Sequence, residues 1–388
     1  MGYLNYAIKG IRPKNLYYIS SLSLKDILRW HNPARSHGVH MKAAMEWLSM
    51  AQTKTNDGGV SALYSLFDGW APSYVETTGY IIPTFFNYAE LTKNPAYREK
   101  AIRMAEFELQ SQLPEGAFPG GGTRNKPIVF NTGQVIFGLC RTFEETHEEK
   151  YKKAADKAAR WLVSVMDEDG CWRKHEYLNH VHTYNTRTAW ALLHAHKITK
   201  NDEFRKAARE NIEWALTQQQ ENGWFRNNGF YTRQEPMVHT IAYTIRGILE
   251  AGIYLKKSGY VEAAGKAAAS MAGVQRADGS LAGSFGNGWK SSVSWSCLTG
   301  NSQMAIIWLK LHAETKDQEV LSAAQAANAF MKRMQSITSS NAGIRGGIPG
   351  AYPIYGWYAP FAYPNWAAKF FVDALMLESN PEMHSKIT

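Results

Sequence analysis

The sequence predicts an all-α fold: six helical hairpins closed into an (α/α)6 toroid with long loops at one end. Three observations carry this expectation. First, one unit returns six times: a helix-like segment ending near Gln or an acidic residue, a Gly-rich turn, and a more apolar helix-like segment. Its turn glycines are Gly58, Gly116, Gly170, Gly223, Gly279 and Gly343, at intervals from 53 residues (Gly170 to Gly223) to 64 (Gly279 to Gly343). A period of this length marks a repeated supersecondary unit. Second, the two helix sets differ. The first of each pair is charged on one face, as in YKKAADKAARWLVSVM, and the second is apolar nearly all round, as in TAWALLHA and NWAAKFFVDAL. A helix apolar on all sides is buried, so the second set forms an inner layer. Third, the segments between them are Gly- and Pro-rich and roughly 15 to 20 residues long, a length usually reserved for function. All six precede inner helices, so all six crowd one end of the ring.

The elements follow in order. Residues 1–40 read as a lead-in whose first helix starts at Ser23 or Lys25, and 41–388 read as one toroid domain. The first repeat gives helices 41–50 and 76–91, and the second 97–113 and 132–146. The third gives 151–166 and 186–199, and the fourth 203–219 and 239–256. The fifth gives 260–275 and 301–315, and the sixth 318–335 and 366–378.

Composition narrows the partner. Aromatic residues make up 13% of the chain, with 13 Trp and 20 Tyr, more than core filling needs. Trp and Tyr favour surfaces that are apolar on one side and wet on the other. A net charge of +9 serves solubility or an anionic partner. No basic run with interleaved aromatics suggests nucleic acid, which leaves an acidic poly- or oligosaccharide. No obligate protein partner is expected. Cys140, Cys171 and Cys297 are widely spaced and suit a reducing compartment or core packing. No apolar stretch is long enough to span a membrane and no leader is visible, so a cytoplasmic location is expected.

The turn signature, Gln followed by Gly and often an aromatic, resembles the repeats of alpha/alpha toroids. That class is shared by terpenoid cyclases, protein prenyltransferases, and six-hairpin glycosidases and lyases. GWAPSYVETTGYIIPTFF and HTYNTRTAWALLHA are similar to segments of the VpsJ-type polysaccharide biosynthesis proteins. That resemblance implies a toroid linked to exopolysaccharide and supplies no set of catalytic residues. The D-x-D-D acid of class II terpenoid cyclases is absent, and no Cys has the zinc setting of prenyltransferases.

The densest polar set lies in the third loop: His175, Glu176, Tyr177, Asn179, His180, His182, Tyr184, Asn185 and Arg187. Cleaving a uronic polysaccharide by β-elimination needs a group on the C5 carboxylate, a base for the C5 proton and an acid for the leaving oxygen. The residues fit these roles: His182 or His180 as base, Tyr184 as acid, Asn185 and Arg187 on the carboxylate. C5 epimerisation begins with the same proton abstraction. Loop packing, with Asn185 as a helix N-cap, is the bland reading. The histidines lack the spacing of a zinc site, and no metal or cofactor is expected.

Glycoside hydrolysis instead needs two carboxylates. Glu76 and Glu235, each near the start of an inner helix and the latter followed by His239, supply them; a carboxylate at a helix N-terminus is also simply favourable. A glycan platform is expected from Trp70, Tyr74, Trp224, Trp289, Tyr355, Trp357 and Tyr358, with Arg124 adding positive charge. The same aromatics could simply anchor the loops. The expected function is therefore a polysaccharide lyase or C5-epimerase on an acidic glycan. A glycoside hydrolase is the alternative, and a non-catalytic glycan-binding biosynthesis protein the third.

Overall fold

The computed structural model describes residues 13–120, 125–232 and 234–388. Its helices are α1 (Pro13–Ile27), α2 (His37–Thr53), α3 (Val75–Thr92), α4 (Pro95–Ser111), α5 (Val129–Thr146), α6 (Glu149–Ser164) and α7 (Thr186–Thr199). They continue as α8 (Asp202–Leu216), α9 (Val238–Leu255), α10 (Ser258–Gly273), α11 (Leu298–Thr315), α12 (Gln318–Met334) and α13 (Asn365–Ser379). From α3 onward the odd-numbered helices form an inner ring, each packed on the next, with α13 returning to α3. The even-numbered helices form the outer layer. The repeat reading holds: α9 is buried continuously from Val238 to Gly252 because one face meets the axis and the other the outer helices.

Inner and following outer helices are joined by tight turns. Lys93, His147, Lys200, Lys256 and Lys316 each adopt positive φ there, the left-handed cap that stops a helix and reverses the chain. The opposite end carries all the long loops.

The repeated Gln is a clamp between units. Gln112 Nε2 donates to the Gly116 carbonyl of its own turn (2.9 Å) and to the Ala154 carbonyl of the next outer helix (2.9 Å). Gln52, Gln219 and Gln275 repeat the arrangement. The third unit has no such Gln; Asn211 of the following helix reaches back to the Gly170 carbonyl instead. Gln335 donates to Gly346 and to His40 of α2, so the sixth unit clamps the first and closes the ring.

Two sequence expectations need correction. The sixth turn glycine is Gly346, not Gly343: Gly346 has φ +88°, and an added Cβ would sit 2.2 Å from the Ala43 carbonyl oxygen. The Asn-Ala-Gly stretch around Gly343 looks like a turn but packs its glycine against the Tyr64 ring. Gly346→Ala should cost about 3 kcal/mol, from left-handed strain plus a backbone collision, and a denaturation curve checks it. The first helix spans Pro13–Ile27 among the described residues, so Ser23 and Lys25 lie inside it and neither starts it.

Short strands stitch the loops together. β1 (Leu63–Ser65), β2 (Gly69–Trp70), β3 (Ser296–Cys297), β4 (Ala351–Tyr352) and β5 (Ala362–Pro364) lie in the first, fifth and sixth loops. β1 pairs antiparallel with β2 and with β5, with Tyr64 opposite Tyr363, and so joins first loop to last. β3 pairs with β4, and a bridge from Met237 to Ser284 links the fourth loop to the fifth. At the turn end, residues 381–388 fill the axis. Arg246 donates to the Ile387 carbonyl (2.7 Å), Lys310 to His384 (2.6 Å), Asn87 to Lys386 (3.1 Å) and Lys369 to Thr388.

Candidate active site

The inner helices are buried on every side yet carry polar groups in rows along the axis. α3 presents Glu76, Tyr80 and Thr84, α9 presents His239, Tyr243, Arg246 and Glu250, and α13 presents Lys369 and Asp373. The lower rows are satisfied. Glu250 lies 2.5 Å from Arg246 and 2.6 Å from Lys310, and these cations hold its carboxyl at about 2 against burial. Asp373 takes Lys369 at 2.6 Å and the Thr84 hydroxyl at 2.9 Å.

The upper row is different. Glu76 lies deep among protein groups at the loop end of the ring but keeps partial exposure. Burial pushes its carboxyl up to about 7, opposed by the Tyr74 hydroxyl, which donates to Glu76 Oε2 at 2.9 Å, and by the charge of Arg187. Tyr80, Tyr177, Tyr184, Tyr243 and Tyr358 all lie within electrostatic reach of Glu76. Stretches distant in the chain therefore meet at this floor, as the ring geometry requires.

Opposite Glu76 stands His239. In the order α3, α5, α7, α9, α11, α13, helix α9 is three places from α3 in either direction. His239 Nδ1 faces Gln303 Oε1 at 3.0 Å. An amide oxygen only accepts, so Nδ1 carries the proton and Nε2 keeps a free lone pair. Burial lowers this imidazole to about 4, so it is neutral at ordinary pH. Its ring contacts those of Tyr243 and Tyr358, with centroids 4.5 and 5.5 Å away.

Arg187 lies beneath. The residue is 1% exposed, and its guanidinium is surrounded by the rings of Tyr80, Phe137, Trp190, Tyr243 and Phe370. Nε donates to Gln134 Oε1 at 2.7 Å, while one terminal nitrogen is buried without a partner. Burial brings its pKa down to about 10, so it stays charged.

The remaining third-loop residues shape the loop. His182 sets Nε2 2.8 Å from the Tyr177 carbonyl and Nδ1 3.1 Å from the Gly229 carbonyl; a neutral ring donates to only one of them, and its lone pair faces the other carbonyl oxygen. Its ring stacks on Tyr184 at 4.4 Å. His180 lies beside His182, partly exposed. Asn185 occupies the N-cap position of α7 but makes no capping bond; its amide donates to Glu176 Oε2 at 2.9 Å. Glu235 is committed to the fifth loop, accepting from the Ser284 hydroxyl (3.0 Å) and the Ser292 hydroxyl (2.8 Å).

The aromatic set divides. Trp70 packs on Trp47 and Tyr64, away from the axis. Trp224 and Trp289 pin the fourth and fifth loops together through bonds to the Phe285 and Asn222 carbonyls. Tyr74 and Tyr358 lie near Glu76, Tyr74 through its hydroxyl bond and Tyr358 within electrostatic reach. Tyr355 and Trp357, 45% and 49% exposed, project from the sixth loop. Arg124 lies outside the described residues. Sequence reasoning missed Tyr80, Gln134, Tyr243 and Gln303. Their signal was polar residues recurring at helical spacing within otherwise apolar helices. Among the described residues no group of three or more His, Cys, Asp or Glu is placed to share a metal ion. None of their helices is long and apolar enough to cross a membrane.

This architecture has known relatives. The family described as the squalene-hopene cyclase C-terminal domain matches residues 66–249. The unsaturated glucuronyl hydrolase of Bacillus sp. GL1, titled as responsible for glycosaminoglycan degradation, superposes with a TM-score of 0.69 at 15% identity, covering 88% of this chain and 97% of its own. The fold is the alpha/alpha toroid. Cellobiose 2-epimerase from Bacillus thermoamylovorans superposes at 0.67 with 13% identity, covering 94% of this chain and 100% of its own. A polysaccharide lyase superposes at 0.65 with 12% identity, covering 89% and 98%. No curated protein sequence matches the chain.

Proposed function

We propose that the protein is a carbohydrate-active enzyme of surface-polysaccharide metabolism that attacks C5 of a uronic residue in an acidic glycan. One observation carries the reading: a protonatable Glu76 and a His239 with a free ring nitrogen stand near the starts of inner helices three places apart in the ring, both within electrostatic reach of Arg187, one of whose terminal nitrogens is buried without a partner. Arg187 supplies positive potential for the substrate carboxylate and for the charge that spreads onto it as the proton leaves. His239 Nε2 takes the C5 proton. Glu76 gives its proton to the C4 oxygen as the C4–O bond breaks and the C4–C5 double bond forms. Returning the proton to the opposite face of C5 would be epimerisation instead. Tyr184, held well above its ordinary pKa by burial, stays a neutral hydroxyl and a hydrogen-bond donor. The likeness of two segments to VpsJ-type proteins supports the polysaccharide setting, and the exposed Tyr355 and Trp357 suit stacking on sugar rings at the rim.

Hydrolysis is the second reading, favoured by fold relatives named as unsaturated glucuronyl hydrolases. It asks for a second carboxylate beside the scissile bond, whereas among the described residues the charge that acts on Glu76 is the positive one of Arg187. Polyprenyl cyclisation, suggested by the cyclase-domain match, needs an acid strong enough to protonate an alkene; a carboxyl near 7 is far too weak. The deciding experiment gives the purified protein a panel of acidic polysaccharides and follows ultraviolet absorbance and reducing ends together. Elimination raises both. Reducing ends without absorbance would transfer the reading to hydrolysis; glycan retention with neither signal and with no exchange of the C5 hydrogen for solvent deuterium, the mark of epimerisation, would end the enzymatic proposal.

A further inference from the structure

Among the described residues nothing covers one apolar face of the first helix, and the enzymatic reading does not use it. Leu16, Tyr17, Leu24, Ile27, Leu28 and Trp30 are between 46% and 69% exposed. At helical spacing the α1 members of this set fall on one side, with Ser20 the one polar residue among them. The opposite side of α1 holds it to the body. Tyr18, Ile19 and Leu22 pack on the core, and Asp26 accepts from the Ile354 amide at 2.7 Å. A soluble surface does not normally leave so many large apolar groups together.

Charge indicates what covers the face. Residues 1–36 hold six Lys or Arg and a single acid, Asp26. That acid is turned inward onto Ile354, so it offers little negative charge to the outside. Arg29, between Leu28 and Trp30 in the chain, is exposed, and so is Arg35. An apolar helix face with Tyr and Trp, flanked by basic residues, is the pattern of a helix lying in a membrane interface. The face is a convex helix surface rather than a groove, which suits a fluid layer better than a matching protein. We propose that α1 docks the protein onto an anionic lipid surface. The helix sits against the first and sixth loops, Asn15 reaching the Phe67 carbonyl at 3.3 Å, so docking brings the rim of the bowl close to the bilayer.

Co-sedimentation of the full chain with vesicles tests this. Binding is expected to phosphatidylcholine vesicles containing phosphatidylserine, to be much weaker to phosphatidylcholine alone, and to fall as salt rises. Leu24→Asp combined with Ile27→Asp should reduce partitioning by at least about tenfold, since charge is expelled from the apolar layer. Both positions are exposed, so the melting temperature should stay unchanged. Trp30 fluorescence should shift to shorter wavelength on vesicle addition, and a Trp30→Phe variant identifies that contribution. Failure to bind either vesicle overturns the proposal. So does a dimer in sedimentation velocity that the double Asp variant dissolves, because the face would then be covered by a second copy.

Discussion

Glu76→Gln is expected to lower turnover by about a thousandfold while making the protein more stable at alkaline pH. The loss follows from removing the proton that the leaving oxygen receives. On the proposed chemistry, the rate of the unaltered protein should rise as His239 deprotonates near 4 and fall as Glu76 deprotonates near 7. The variant should lose the upper limb. The stability gain has the opposite origin. Glu76 has its carboxyl raised from 4.5 to about 7 in the folded chain. The unfolded chain therefore releases this proton first as pH increases. The contribution is fully present below 4.5, declines between 4.5 and 7, and is gone above. After discounting for partial exposure, holding the ionised group costs about 2 kcal/mol at pH 8, which glutamine relieves. Melting curves at pH 5 and pH 8 check the sign: the variant should gain only at the higher pH. A variant destabilised at both would mean that Glu76 is a structural link to Tyr74.

Arg187→Met is the second large effect. An acidic glycan should be processed with kcat/KM lower by about two to three orders of magnitude, mostly through lost stabilisation of charge on the carboxylate. Stability should change by no more than about 1 kcal/mol, because a fully buried guanidinium without an ion-pair partner costs desolvation that methionine does not. Methionine also fills similar space among the rings of Tyr80, Phe137, Trp190, Tyr243 and Phe370. Arg187→Lys retains charge but cannot both meet Gln134 and spread across those rings, so intermediate activity is expected. Unfolding of the methionine variant would show that Arg187 holds the floor rather than serving substrate.

The fold was readable because its rules are local and repeated. Periodicity separated charged outer helices from apolar inner ones, and α7 begins and ends where the pattern placed it, at Thr186 and Thr199. Gly346 was missed because a positive-φ requirement leaves no trace when several glycines lie in one loop. The proposed site was only partly readable. Glu76, Arg187 and His239 were visible as unusual polar residues at the starts of inner helices. His182, Asn185 and Glu235 have equally suitable chemistry, and only three-dimensional contacts reveal that their polar atoms hold backbone carbonyls, Glu176 and the fifth loop. Residue type states what a side chain can do; its neighbours determine whether it is free to do it.

Ring closure has a consequence for how the chain comes together and apart. An open row of hairpins frays from its ends, each unit needing only its neighbour. Here Leu63 pairs with Pro364 and His40 with Gln335, so no unit is terminal in space. Losing one hairpin strips a flank from two others, which favours melting in a single cooperative step. The joining contacts lie about 300 residues apart along the chain, so their entropic cost makes closure the slow event in refolding.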